Sequence, residues 1–211
     1  MPRGLATQFA DPAKGGLDRH SSTISGHKML GVTDQAFMRS AVTVVGQARR
    51  EASGIAVEVT ITNDKTGHHV PTDSPLRQLI LLVRAADAQG RSLAQLDGPT
   101  VPVWGGVGDP AEGYYAGMPG TAYAKVLQEF RSALWPTAAY WNPTRVLADN
   151  RIPALAADST RYVFDAPPEG DVSVDVTLLF RRAYIDLAKQ KGWSDPDLVM
   201  HRETIRIGED R

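Results

Sequence analysis

Between Ile55 and Ile61 the apolar residues Ile55, Val57, Val59 and Ile61 alternate with Ala56, Glu58 and Thr60. A period of two is the pattern of a half-buried strand, and a helix has no way to gather those residues on one side. The next apolar run, Leu76 to Val83, is almost continuous, and predicts a more deeply buried strand. The link Asn63-Asp64-Lys65-Thr66-Gly67 is dense in turn residues and delivers His68 and His69 into an extended segment fixed by Pro71. Nowhere else in the chain do paired histidines meet a proline, an acid and a nearby arginine.

The rest of the chain reads around that pair. Residues 1–40 are rich in Gly, Pro, Ser and charge without sustained periodicity, and are expected to form an extended arm; residues 41–211 are expected to form one domain. Thr33 or Asp34 is placed to cap a short helical turn through Met38. From Ala41 to Arg50 strand and helix compete. Strand is preferred, because Ser53-Gly54 then makes a hairpin turn into Ile55.

After the Leu76 run, Asp87 to Gly90 predicts a turn and Ser92 to Leu96 a return strand. Asp97 to Gly120 holds many Gly and Pro with Trp104, Tyr114 and Tyr115, the composition of a long ordered loop. Thr121 to Phe130 reads as strand, with helix an alternative from Ala124. Tyr140 to Pro153 reads as a mostly irregular polar loop. Strands return at Arg161 to Phe164, Val172 to Phe180 and His201 to Ile207, and Ala183 to Lys191 is a helix stopped by Gly192. Strands separated by turns, one or two short helices and no βαβ rhythm indicate a mainly β protein, an immunoglobulin-like antiparallel sandwich.

Composition narrows the function. With 23 basic against 24 acidic side chains, and the basic ones scattered, the chain lacks the footprint of a nucleic-acid binder. No apolar run is long enough to span a membrane as a helix. The absence of cysteine excludes disulfides, thiolate metal sites and covalent haem attachment within these residues. No zincin, nucleophile-elbow, phosphate-loop or dinucleotide motif occurs, and His201-Arg202-Glu203 lacks the cysteines a zinc deaminase needs. Two carboxylates from distant loops would still suit a hydrolase on a sandwich scaffold, the weakest of the readings.

Three constellations remain. His68 and His69 point to opposite faces of an extended segment, so one of them is a candidate metal ligand and the other a surface or structural histidine. His20 and His27 sit seven apart in the arm among Ser and Gly, free to reach a metal or to be solvated. Arg145, Asp149 and Arg151 suit a buried ion network pinning their loop, or an anion site.

The ordered set of blocks Gly67-His68-His69-Val70-Pro71-Thr72, Ala116 to Gly120 with Ala124 to Leu127, and Thr144 to Pro153 resembles the C-terminal β-sandwich region of multihaem c-type cytochromes found outside the bacterial cytoplasm. The likeness covers roughly residues 20 to 207. Gly67-His68 with Pro71-Thr72 is similar to that family's G-H-x-x-P-T element, and Arg77 to the arginine after it. Asp73 stands where the family often has glycine. The resemblance implies a non-catalytic electron-transfer module, periplasmic or extracellular, that packs against a haem-bearing segment or cytochrome subunit and meets redox partner proteins. It implies haem c held by residues outside this stretch, with His27, His68 and, after them, His20 as suspected axial ligands. Met1-Pro2-Arg3 is similar to the residues that often come directly after a C-x-x-C-H site in that family, so the haem sites are expected just before residue 1. The alternative is an extracytoplasmic module that binds a small ligand or glycan through the aromatic loop from Trp104 to Tyr115.

Overall fold

The protein is described by a computed structural model over residues 7–8, 10–24 and 30–208. The chain divides into two compact units, Met1–Met38 and Arg39–Arg211. The first holds two single-turn 3₁₀ helices, Pro12–Lys14 and Ser21–Thr23, each begun by a side chain that accepts from the backbone, Asp11 and His20. The helix α1 (Gln35–Arg39) comes next, with the Asp34 carboxylate accepting from the Phe37 N–H at 3.0 Å as a cap would.

The second unit runs β1 (Thr43–Glu51), β2 (Gly54–Thr62), β3 (Gln78–Asp87), β4 (Gln95–Asp97), β5 (Gly120–Tyr123), β6 (Lys125–Glu129), β7 (Thr144–Asp149), β8 (Ala157–Phe164), β9 (Val172–Arg181), α2 (Ile185–Gln190) and β10 (Leu198–Ile207). One sheet has the order β1-β2-β8-β4, a second β10-β9-β3-β5, and β6 and β7 form a two-stranded ribbon. Every pairing is antiparallel. The expected mainly β, antiparallel sandwich with two short helices is the fold observed.

The alternation in β2 is met by burial: Ile55, Val57, Val59 and Ile61 are fully buried, as is Tyr162 on β8. On β3, Leu79, Leu81 and Val83 are buried on one face and Ile80 and Leu82 on the other. The second set packs with Leu179, Ala122 and Val101, and the loop residues Trp104, Tyr115 and Met118 close over them. A strand covered on both faces has no wet side, which is why its sequence shows no alternation.

The β1 register, from Thr43 opposite Thr62 to Glu51 opposite Gly54, settles the competition over 41–50 in favour of a strand, which begins at Thr43. Three expectations need correction. The run after the Asp87 turn does not return along β3: only Ser92 bridges back, to Ala86, and β4 joins β8 in the other sheet. β9 lines one edge of β3 along its whole length, and on the other edge β5 pairs from Leu79 to Leu82, which leaves the run after the turn only the short stretch around Ala86. The stretch 121–130 is neither one strand nor a helix. It breaks at Ala124, whose N–H is taken by Asn150 Oδ1 at 2.9 Å, and passes from the second sheet into the ribbon. Lastly, the segment 140–153 contains β7, paired with β6.

Gly54 closes the β1–β2 turn at φ +127°, and a Cβ there would stand 2.1 Å from the Phe164 carbonyl oxygen. Both the dihedral and a backbone atom of β8 oppose a side chain. Gly54→Ala is expected to cost about 2–3 kcal/mol, measured as a shift of the urea midpoint with unchanged slope.

Candidate functional site

The loop between β2 and β3 is held from inside by one carboxamide. Asn63 is fully buried at the end of β2. Its N–H donates to Ala156 O at 2.9 Å and its carbonyl accepts from Leu155 N–H at 2.8 Å. Its side-chain Nδ2 donates to His68 O (2.7 Å) and Ile152 O (2.9 Å), and its Oδ1 accepts from the Thr66 hydroxyl at 2.6 Å. Every polar group of this buried residue therefore has a partner, which is the condition for leaving an amide in a core. Val70 and Ile152 then exchange two backbone bonds of 2.9 Å, so the histidines lie between two fixed points.

His68 and His69 are both exposed. The His68 ring is oriented: Nδ1 lies 3.0 Å from the His69 carbonyl oxygen. A carbonyl can only accept, so Nδ1 carries a proton and, in the neutral ring, Nε2 keeps its lone pair. That is the tautomer a metal ligand needs, with the orienting bond already made. Asp73, in the place of the resembling family's glycine, takes φ +71°, the left-handed region that glycine favours and Asp tolerates. Its carboxylate pairs with Arg77 at 2.8 Å, and Arg77 Nη1 donates to Thr72 O at 3.4 Å. The arginine after the motif thus ties the loop's exit to itself.

Ser74, Leu76 and Arg77 continue into the wall of a cleft of about 750 Å³, whose other walls include Tyr115, Arg182, Trp193 and Arg202. Arg181 forms its floor. Only 5 % of that side chain is exposed. It donates through Nε and Nη2 to the two Asp197 oxygens (2.9 and 2.6 Å), through Nη1 to Gly105 O (2.9 Å) and through Nη2 to Gly113 O (2.6 Å). The Tyr115 ring centroid is 5.2 Å away. Burial, with Asp197 adding to it, pushes the Tyr115 hydroxyl up from its ordinary pKa. Neither Asn63 nor Arg181 stands out in the sequence. Asn63 reads there as a turn residue, and Arg181 as half of a basic doublet.

The other candidates fare differently. His20 Nδ1 accepts from Ser22 N–H at 3.3 Å, so its lone pair is engaged in starting a 3₁₀ turn. His27 lies outside the described residues. Among the described residues no three His, Cys, Asp or Glu side chains are grouped to hold a metal ion. Arg145, Asp149 and Arg151 do not form one network. Asp149 and Arg151 make a two-pronged pair at 2.7 Å, which holds the Asp149 carboxyl below its ordinary pKa, whereas Arg145 Nε donates to Gln128 Oε1 at 2.8 Å. The pair is partly solvated, with side-chain exposures of 33 % and 20 %.

These geometries set two stability outcomes. Asn63→Ala removes the three side-chain hydrogen bonds that hold the loop from inside and leaves a void where a buried carboxamide stood, and is expected to cost about 2–3 kcal/mol and to speed amide exchange across 66–70. Asp149→Ala breaks a solvent-screened pair, and is expected to cost no more than about 1 kcal/mol in the same denaturation assay.

No protein-family model and no curated protein matches the chain. Among solved structures it is similar to a penta-heme cytochrome c552 from Thermochromatium tepidum, with a TM-score of 0.63 and 18 % sequence identity. The similarity covers 86 % of this chain and 43 % of that one, so the chain spans less than half the length of that cytochrome. At that identity the likeness is one of fold.

Proposed function

We propose that this chain is a non-catalytic β-sandwich module of a multihaem cytochrome c-like electron-transfer protein outside the cytoplasm, docking against a segment that carries the haems. The observation that carries the reading is His68, an exposed imidazole on a loop fixed at both ends, with Nδ1 bonded to a carbonyl and Nε2 presented as an acceptor. The fold likeness over 86 % of the chain to a penta-heme cytochrome supports it, as do the ordered blocks that resemble the family.

A haem c held by the partner segment would supply the redox centre. The residues of this chain fit one task at such a centre, the donation of an axial nitrogen. His68 would be the ligand, with Asn63 and Thr66 holding its backbone and the His69 carbonyl holding its ring. Strengthening and aiming an imidazole in this way tunes the iron it binds. His27 stays in the proposal as a second ligand on the strength of the resemblance alone. The ligand- or glycan-binding reading has less support, because Trp104 and Tyr115 pack onto the sheet and do not form an open aromatic platform.

The test uses a haem c peptide with one histidine ligand and an open sixth position. Titrated with the whole chain, it is expected to move from a high-spin to a low-spin visible spectrum. In a His27→Ala background His69→Ala should leave that change in place and His68→Ala should abolish it. Low-spin conversion that survives His68→Ala would refute the assignment.

A further inference from the structure

The cleft that begins at Ser74, Leu76 and Arg77 runs into a second hollow on the outer face of the β10-β9-β3 sheet. The cleft is about 750 Å³ and the hollow about 480 Å³, and Tyr115, Leu179 and Arg202 line both, so the two form one trough. Its halves differ in chemistry. The larger is walled in part by Leu76, Ile185, Ala188 and Trp193, whereas the smaller adds Arg84, Asp175, Thr177 and Thr204.

Trp193 is 50 % exposed. It does not sit on a slack loop, because its backbone N–H donates to Ala188 O at 2.9 Å where the chain turns off the end of α2. A tryptophan left half bare in a concave wall offers a flat apolar surface to a ligand.

Most charges of the larger half are matched. Arg181 is paired with Asp197, Arg182 with Asp195, Lys189 with Glu112, and Arg77 with Asp73 at the rim. Arg202, where the halves meet, has no ion-pair or hydrogen-bond partner among the described residues. Arg84 reaches only the Met118 sulfur, a weak acceptor, at 3.9 Å. Asp175 stands opposite Arg84 on β9, but its carboxylate accepts from the Thr204 hydroxyl at 2.5 Å and makes no ion pair with Arg84 among the described residues. Strand register sets the spacing of the two arginines. Arg202 lies opposite Thr177, Thr177 opposite Leu82, and Arg84 one same-face step beyond Leu82, which puts the two backbones about 12 Å apart.

A ligand matched to this trough has a flat apolar body at one end and more than one negative group at the other. A haem has that shape, with its propionates along one edge of the ring. Each guanidinium can give a carboxylate two parallel N–H donors. We infer, resting on the haem-docking reading above, that the trough seats the propionate edge of a haem carried by the partner segment, with the ring against Trp193 and Leu76 and the carboxylates on Arg202 and Arg84.

The test uses a haem c peptide from which the iron has been removed, so that no axial bond can form. Titrated with the whole chain and followed by the anisotropy of the porphyrin fluorescence, it is expected to bind with a Kd below about 100 µM. Arg202→Ala and Trp193→Ala should each weaken binding at least about tenfold with unchanged circular dichroism spectra. Arg206→Ala, on the same face of β10 but outside both hollows, should change nothing, which separates a seat from general attraction between charges. The same peptide with its propionates esterified should bind wild type and Arg202→Ala alike. Absence of binding by wild type overturns the proposal, as does an Arg202→Ala effect matched by Arg206→Ala or one that survives esterification. His68→Ala should leave this binding unchanged. If the spin-state titration fails while this pattern holds, the axial assignment falls and the seat stands; the opposite pair of results removes the seat alone.

Discussion

The seven residues 150–156 between β7 and β8 are the constraint on which the histidine loop and the β6–β7 ribbon both depend. Two asparagines hold them. Asn150 donates to Ala122 O at 2.7 Å and accepts from Ala124 N–H at 2.9 Å, which fixes the point where the chain leaves the second sheet for the ribbon. Asn63 bonds Ile152, Leu155 and Ala156, which fixes the point where β2 gives way to the histidine loop. A carboxamide suits both places because it offers a donor and an acceptor without charge, and so can terminate backbone groups of two segments at once. The histidine loop and the apolar ribbon are therefore positioned by opposite ends of one short connection.

A different solution holds the aromatic loop. Burying a guanidinium is expensive unless its donors are matched, and Arg181 meets this with a two-pronged carboxylate, two carbonyls and a ring face. The partners come from far apart in sequence. Gly105 and Gly113 belong to the loop after β4, and Asp197 to the segment after α2. The two 3₁₀ turns, Val103–Gly105 and Pro110–Glu112, bring those carbonyls inward, and Gly106 and Gly113 succeed them at φ +96° and +91°, where a side chain would be strained. With the loop tied down, Trp104 and Tyr115 can cover Ile80 and Leu82, so β3 becomes a strand buried on both faces. The unbroken apolar run of β3 and the buried charge on β9 are two sides of one arrangement.

Legibility in the sequence tracks burial. β2 and β9 alternate because each has one face in the core, and both are readable, as is the short helix before Gly192. β7 is not, because its side chains are exposed on both faces and leave no period to detect. The switch at Ala124 is hidden for a different reason: it is made by a side chain 26 residues away, and no local pattern records it. At the site, the histidines and Arg77 are visible as types in a row. Asn63 is not, since turn asparagines are common and only the structure puts this one inside. The Arg145, Asp149 and Arg151 cluster misleads because charges close in sequence on a strand go to different partners.

His68 and His69 are chemically identical neighbours, and the loop separates them. The His68 carbonyl accepts from Asn63 Nδ2 and from the Thr66 hydroxyl, and its ring is held by the next carbonyl. His69 offers that carbonyl from its backbone and leaves the orienting bond to its neighbour's ring. A ligand whose backbone and ring are both set before the iron arrives loses less entropy on binding than one that must be ordered, and its lone pair already has a direction. The tautomer comes from the same bond, since the nitrogen facing a carbonyl must be the protonated one. The proposal that His68 would be the axial ligand therefore rests on this geometry as well as on its place in a motif. Farther along the same loop, Asp73 adopts a dihedral that glycine favours and holds Arg77 across the turn.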